Sequence, residues 1–99
     1  MRAVQAREPV RLKLYGRTYC HLCEDMQREL QRLSPELNLA LEVIDVDRSE
    51  ALEARYGELV PVLVHGDTEI CHYFLDHAAL AALLNRLSTG TAEHHTAGN

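Results

Sequence analysis

Tyr15-Gly16-Arg17-Thr18-Tyr19-Cys20-His21-Leu22-Cys23 is the stretch whose reading decides the fold. On its N-terminal side, Val10–Tyr15 alternates apolar and polar residues, which predicts a strand ending at Gly16. On its C-terminal side, Met26, Leu30, Leu33 and Leu37 recur at spacings of four and three, the stripe of an amphipathic helix. Pro35 predicts that this helix ends near Leu33 or Ser34, since proline removes a backbone donor and crowds the preceding turn. The two cysteines therefore stand where a strand hands over to a helix.

That placement has chemical consequences. Residues three apart on a helix are neighbours, with Cβ atoms about 5–6 Å apart, so a disulfide closes there with little backbone movement. Cys20 falls at the helix entrance, where unpaired N–H groups and the positive dipole end favour thiolate over thiol. Cys23 lies one turn further in. Cys20 is then the attacking thiol of a disulfide exchange and Cys23 the thiol that resolves the mixed disulfide. Two other readings of the pair stay open. A stabilising staple would contribute little, because the loop it closes is short. A zinc or iron–sulfur site needs about four ligands, and only Cys71, His72 and His21 are available to complete a set, with no second C-x-x-C present.

Outward from this stretch, Leu39–Val46 reads as a second strand, and Asp47 and Ser49 are cap-type residues before a short helix over Glu50–Tyr56 that Gly57 stops. Val60–Val64 reads as a third strand with Pro61 at its start, where a missing N–H is tolerated. Gly66-Asp67 is a tight turn into a fourth strand, Thr68–Phe74. Asp76 caps a last helix with Leu80, Leu83, Leu84 and Leu87 facing inward. The order is βαβαββα: a right-handed parallel crossover first, an antiparallel hairpin last, and an α/β fold with a mixed four-stranded sheet flanked by helices. The expected organisation is an extension over residues 1–9, one domain over 10–87, and a flexible tail over 88–99 in which His94 and His95 offer at most a weak metal site.

The 99 residues make one domain, with 46% hydrophobic and 25% charged residues, ordinary values for a soluble globular chain. A net charge of −5 leaves no basic surface for phosphate backbones, so neither nucleic acid nor an anionic membrane is expected as a partner. No apolar run approaches the ~20 residues of a membrane span. The first ten residues carry two arginines and a glutamate and have no apolar h-region, so a cytoplasmic location is expected. In such a reducing compartment an x₂-spaced cysteine pair is more often catalytic or metal-binding than structural. Three cysteines fit a redox pair plus one further thiol.

Residues 15–23 resemble the active-site segment Y-x-K-x-x-C-P-Y-C of glutaredoxins, and Val60-Pro61 resembles the T/V-P of the same thioredoxin-type fold. The chain is also similar to small glutaredoxin-like bacterial proteins carrying C-x-L-C-E and V-P-V-L, and the resemblance covers residues 10–87. It implies a nucleophile at Cys20, a resolving cysteine at Cys23, and a substrate-binding cation at Arg17. It further implies a cis peptide bond before Pro61 and a backbone at Val60 that pairs with bound peptide or glutathione. No bound cofactor is implied; glutathione is a possible co-substrate. Two departures stand out. His21 and Leu22 replace Pro and Tyr between the cysteines, and Cys71-His72-Tyr73-Phe74 stands where glutaredoxins carry Gly-Gly and an Asp for glutathione.

Around the pair, Arg17 and a protonated His21 favour the thiolate. Glu24, on the same helical face as Cys20, and its neighbour Asp25 oppose it. Cys71 reads either as an apolar filler of the last strand or as a third thiol near the site, beside His72. The expectation is a monomeric thiol–disulfide oxidoreductase acting on protein or low-molecular-weight disulfides. The alternatives are a metal-binding module and a non-catalytic interaction module of the same fold.

Overall fold

The computed structural model of the chain describes the backbone of residues 8–96 and the side chains of residues 8–88. In chain order the elements are β1 (Val10–Gly16), α1 (His21–Leu37), β2 (Leu39–Asp45), a 3₁₀ turn (Val46–Arg48), α2 (Glu50–Tyr56), β3 (Val62–His65), β4 (Thr68–His72) and α3 (His77–Thr96). The βαβαββα order is the one the sequence predicts.

The alternation in β1 turns Leu12 and Leu14 to one face of the sheet and leaves Arg11 and Lys13 exposed. β1 lies in the middle, parallel to β2 from Val10↔Leu39 to Gly16↔Asp45, and antiparallel to β3 through Leu14↔Leu63 and Tyr15↔Val62. β4 pairs with β3 at the edge, with a register shift between Leu63 and Val64, giving the strand order β2-β1-β3-β4. On one face Leu12, Leu14, Leu63 and Cys71 pack with Met26 and Leu30 of α1 and Leu80 and Leu83 of α3. On the other, Tyr15, Val62 and Val64 pack with Val46 and with Tyr56 of α2, the Tyr15 and Tyr56 rings stacked 4.2 Å apart. Two apolar layers thus cover the sheet, and the mixed α/β class follows from them. Among the described residues, no helix is long and apolar enough to cross a membrane.

Several boundaries differ from those expected. α1 runs on to Leu37, with Pro35 inside its last turn. Only the Gln31 carbonyl loses its intrahelical donor to that proline; the Asn38 N–H still reaches Ser34 O, and Asn38 closes the helix in the left-handed region at φ 57°. Leu37 and Leu87 lie outside the core, at 36% and 38% exposure. Asp45 rather than Asp47 accepts the N–H that starts the 3₁₀ turn, while Ser49 caps α2 as predicted, its hydroxyl accepting from the Leu52 N–H. Gly57 remains right-handed; glycine is needed because a Cβ there would come 2.5 Å from the Glu53 carbonyl oxygen. The expected tail is helical as far as Thr96, because a helix once nucleated extends at one backbone bond per residue. Residues 1–7 of the expected extension and the side chains of His94 and His95 lie outside the described residues.

Candidate functional site

The parallel β1–α1–β2 unit brings the strand–helix junction to the end of the sheet where Gly16 pairs with Asp45 and Tyr15 with Val62. Cys20 is the N-cap of α1, with extended backbone at φ −110° and ψ 109°. It forms a disulfide with Cys23, their Cα atoms 5.2 Å apart. The Cys20 sulfur accepts a hydrogen bond from the Cys23 backbone N–H at 3.1 Å, and the Cys20 carbonyl accepts from the Glu24 N–H at 3.0 Å. An N-cap normally offers an oxygen to those orphan donors; here a sulfur takes that place. Cys23 is 7% exposed and Cys20 half-buried, so the outer and inner positions are those the spacing predicts.

Gly16 makes the inner position possible. A Cβ at Gly16 would stand 3.2 Å from the Cys23 sulfur, closer than ordinary van der Waals contact. The sequence marks this glycine only as the end of a strand. The Val60–Pro61 bond is cis, as the resemblance implies, and Pro61 is buried immediately before Val62. The Tyr15↔Val62 register therefore sets Pro61 at the same end of the sheet as Gly16 and the cysteines. Val60 is half-buried against the Tyr15–Tyr56 layer.

Arg17 turns toward α2. Its guanidinium donates to Glu53 Oε1 at 2.6 Å and to the Gly57 carbonyl at 3.0 Å, and stands 3.6 Å from Asp47 Oδ1. Its hydrogen bonds reach neither cysteine sulfur. His21 and Glu24 are both exposed on the first turn of α1. A cleft of about 320 Å³ opens between that turn and β2, with Cys23, Gly16, Tyr19 and Glu24 on one side and Val43 and Arg48 on the other. Tyr19, directly before Cys20, is 96% exposed and held at φ 62°.

β4 stops at His72 instead of continuing to Phe74. Tyr73 takes φ 67°, its N–H donates to the Pro61 carbonyl at 2.9 Å, and its hydroxyl donates to the Glu58 carbonyl at 3.1 Å. The Phe74 N–H donates back to His72 O at 2.7 Å, so the chain reverses in three residues around a side chain that ordinarily avoids this region. Phe74 is left 68% exposed. A second cleft, about 330 Å³, runs between this turn and α1, lined by Leu22, Met26, Tyr73, Phe74, Asp25 and Glu29 among others. The Glu29 carboxylate accepts from His77 and Arg32 at its rim, which holds it below the usual glutamate range.

Cys71 and His72 do not join the pair. Cys71 is buried among Leu12, Leu63 and Leu80, and burial pushes its thiol above the ordinary cysteine value. His72 points away from the core and pairs with Glu69 on its own strand. Among the described residues, no three His, Cys, Asp or Glu side chains converge as a metal site. What sequence reasoning missed is the turn at Tyr73 and the cleft it forms with Leu22 and Met26, because positive φ at a tyrosine leaves no compositional mark.

Comparison with known proteins places these features in a family. The profile of a glutaredoxin-like domain (DUF836) matches residues 11–85. A protein of Nitrosomonas europaea solved by solution NMR is 42% identical, with 82% of this chain and 98% of that one covered at a TM-score of 0.73. A protein from X. campestris solved by X-ray methods is 36% identical, covering 75% and 95% at 0.59. Thioredoxin 1 from Thermosipho africanus, 19% identical over 83% of this chain and 94% of its own, shares the fold at a TM-score of 0.50. No curated protein matches. With three quarters of its residues inside the family profile, the chain belongs to the glutaredoxin-like (DUF836) family.

Proposed function

We propose that this chain is a thiol–disulfide oxidoreductase that passes two electrons from the Cys20–Cys23 dithiol to a protein or low-molecular-weight disulfide. The observation that carries the reading is the Cys20 sulfur at the N-cap of α1, accepting the Cys23 N–H at 3.1 Å. In the reduced chain the same donor and the helix dipole stabilise the Cys20 thiolate, the species that attacks. The thiolate forms a bond to one substrate sulfur and expels the other as a thiolate, which takes a proton from water. Cys23, having given up its proton, then attacks the Cys20 sulfur. This closes the Cys20–Cys23 disulfide and releases the second substrate thiol. A thiol reductant resets the pair; glutathione can fill that role without a preformed cradle.

The test uses pre-reduced protein and hydroxyethyl disulfide, followed by the thiol released. Cys20→Ser abolishes release, and Cys23→Ser stops at a mixed disulfide on Cys20 that intact mass detects. Undiminished turnover by Cys20→Ser contradicts the assignment. A metal-binding role for Cys20 and Cys23 is the second reading; it requires ligands from a partner or a second copy, since Cys71 is held in the core.

A further inference from the structure

The loop over residues 17–19 carries the chain from the end of β1 to Cys20, and Tyr19 within it stands at φ 62°. A bulky residue in that region is strained, and such a conformation persists only where its surroundings hold it. The Tyr19 ring supplies no hold of its own, being 96% exposed. Among the described residues, Arg17 is the side chain of this loop that makes hydrogen bonds, and it makes them to α2. One guanidinium nitrogen, Nη2, donates to Glu53 Oε1 at 2.6 Å and to the Gly57 carbonyl at 3.0 Å.

The end of α2 is shaped to receive it. The Tyr56 ring stacks on Tyr15 at 4.2 Å, which fixes the helix to the strand that precedes the loop. A Cβ at Gly57 would stand 2.5 Å from Glu53 Oε2, so glycine leaves room for the carboxylate that Arg17 holds. The charge of Arg17 is engaged within the protein, with Glu53 Oε1 at 2.6 Å and Asp47 Oδ1 at 3.6 Å. Its Nε is buried and unpaired, so that edge of the guanidinium is closed to a substrate. A substrate carboxylate would have to displace Glu53, and would meet the like charge of Asp47 beside it.

We propose that Arg17 is a positioning residue and binds no substrate carboxylate. Through Glu53 and the Gly57 carbonyl it holds the loop that sets Cys20 at the N-cap of α1. This rests on the oxidoreductase reading, and it departs from the substrate-binding cation that the resemblance implies. Without the Arg17 side chain, Tyr19 relaxes toward ordinary backbone and Cys20 shifts from the 3.1 Å bond that the Cys23 N–H gives its sulfur. The thiolate then loses part of its stabilisation, whatever the charge of the disulfide it attacks. Positioning therefore acts on neutral and anionic disulfides alike, whereas a substrate-binding cation acts on the anionic one alone.

The test mixes the pre-reduced parent, Arg17→Ala and Glu53→Ala with neutral hydroxyethyl disulfide and with dianionic dithiodipropionate. In parallel, alkylation of Cys20 by iodoacetamide is followed against pH by peptide mass. Arg17→Ala is expected to slow both disulfides by a common factor on the order of five, the rate equivalent of one hydrogen bond. Its alkylation midpoint moves to higher pH than the parent's. Glu53→Ala frees the guanidinium of its nearest carboxylate, and is expected to slow both disulfides rather than speed the dianion. A loss confined to dithiodipropionate, a gain with it in Glu53→Ala, or unchanged rates and midpoint in Arg17→Ala would overturn the inference. Should the parent reduce neither disulfide, the oxidoreductase reading fails, and the alkylation midpoint alone decides whether Arg17 positions Cys20.

Discussion

At the residue scale the site depends on atoms that are missing as well as on sulfur. Gly16 has no Cβ, and one there would stand 3.2 Å from the Cys23 sulfur, so the sulfur would have to give way by a few tenths of an ångström. Gly16→Ala is expected to displace Cys23 or the strand end and to cost about 1–3 kcal/mol, the usual effect of overpacking a filled site. Thermal unfolding of the oxidised protein measures it; an unchanged midpoint would mean the contact relaxes freely. Cys71 supplies a pH signature. Burial raises its thiol above the ordinary value of 9.0, so the folded chain holds that proton more tightly than the unfolded chain does. The resulting stability is complete below the ordinary value and is lost as pH rises through the raised folded value. Cys71→Ala should therefore show a shallower alkaline loss of stability than the parent, measured by urea unfolding at stepped pH. An equal slope in the two proteins would show that Cys71 ionises alike in the folded and unfolded chains.

At the scale of elements, the β1–α1 junction is tied to α2 through one side chain. Arg17 donates to Glu53 and to the Gly57 carbonyl, joining the loop before Cys20 to the end of a helix on the opposite face of the sheet. Both charged groups are partly exposed, at 32% and 48%, so the pair itself contributes at most about 1 kcal/mol. Arg17→Ala is expected to lower the unfolding free energy by at most about that amount, read from urea unfolding, and salt to weaken the parent toward the variant. A loss several times larger would place Arg17 in the core architecture. The elements themselves were legible in the sequence because their periods were clean: alternation in Val10–Tyr15, a helical stripe through Met26 and Leu30, and glycine at the hairpin. Pro35 misled because its breaking effect falls on one carbonyl in a last turn already near its end. The end of β4 misled because His72, Tyr73 and Phe74 all have strand propensity. What turns the chain there is a set of backbone hydrogen bonds to Pro61 and His72, which are tertiary and local geometry rather than composition.

At the scale of the whole molecule, the fold gathers distant parts of the chain at one end of a sheet. β1 delivers Gly16 and the cysteines, β3 delivers cis-Pro61, and the turn after β4 delivers Tyr73 and Phe74. The pair and the proline could be named from sequence because each has a short, recognisable spacing. The aromatic cleft could not, because its members come from α1 and from a turn about fifty residues later. We propose that Cys20 and Cys23 are a reversible two-electron couple. Equilibrating the protein across a graded thiol redox buffer, quenching, and reading intact mass tests it most directly. Oxidation is expected to remove about two mass units, localised to Cys20–Cys23, with one midpoint and a slope of about 30 mV per decade for a two-electron couple. A chain that keeps both thiols at every accessible poise, or that oxidises through Cys71 instead, would contradict it.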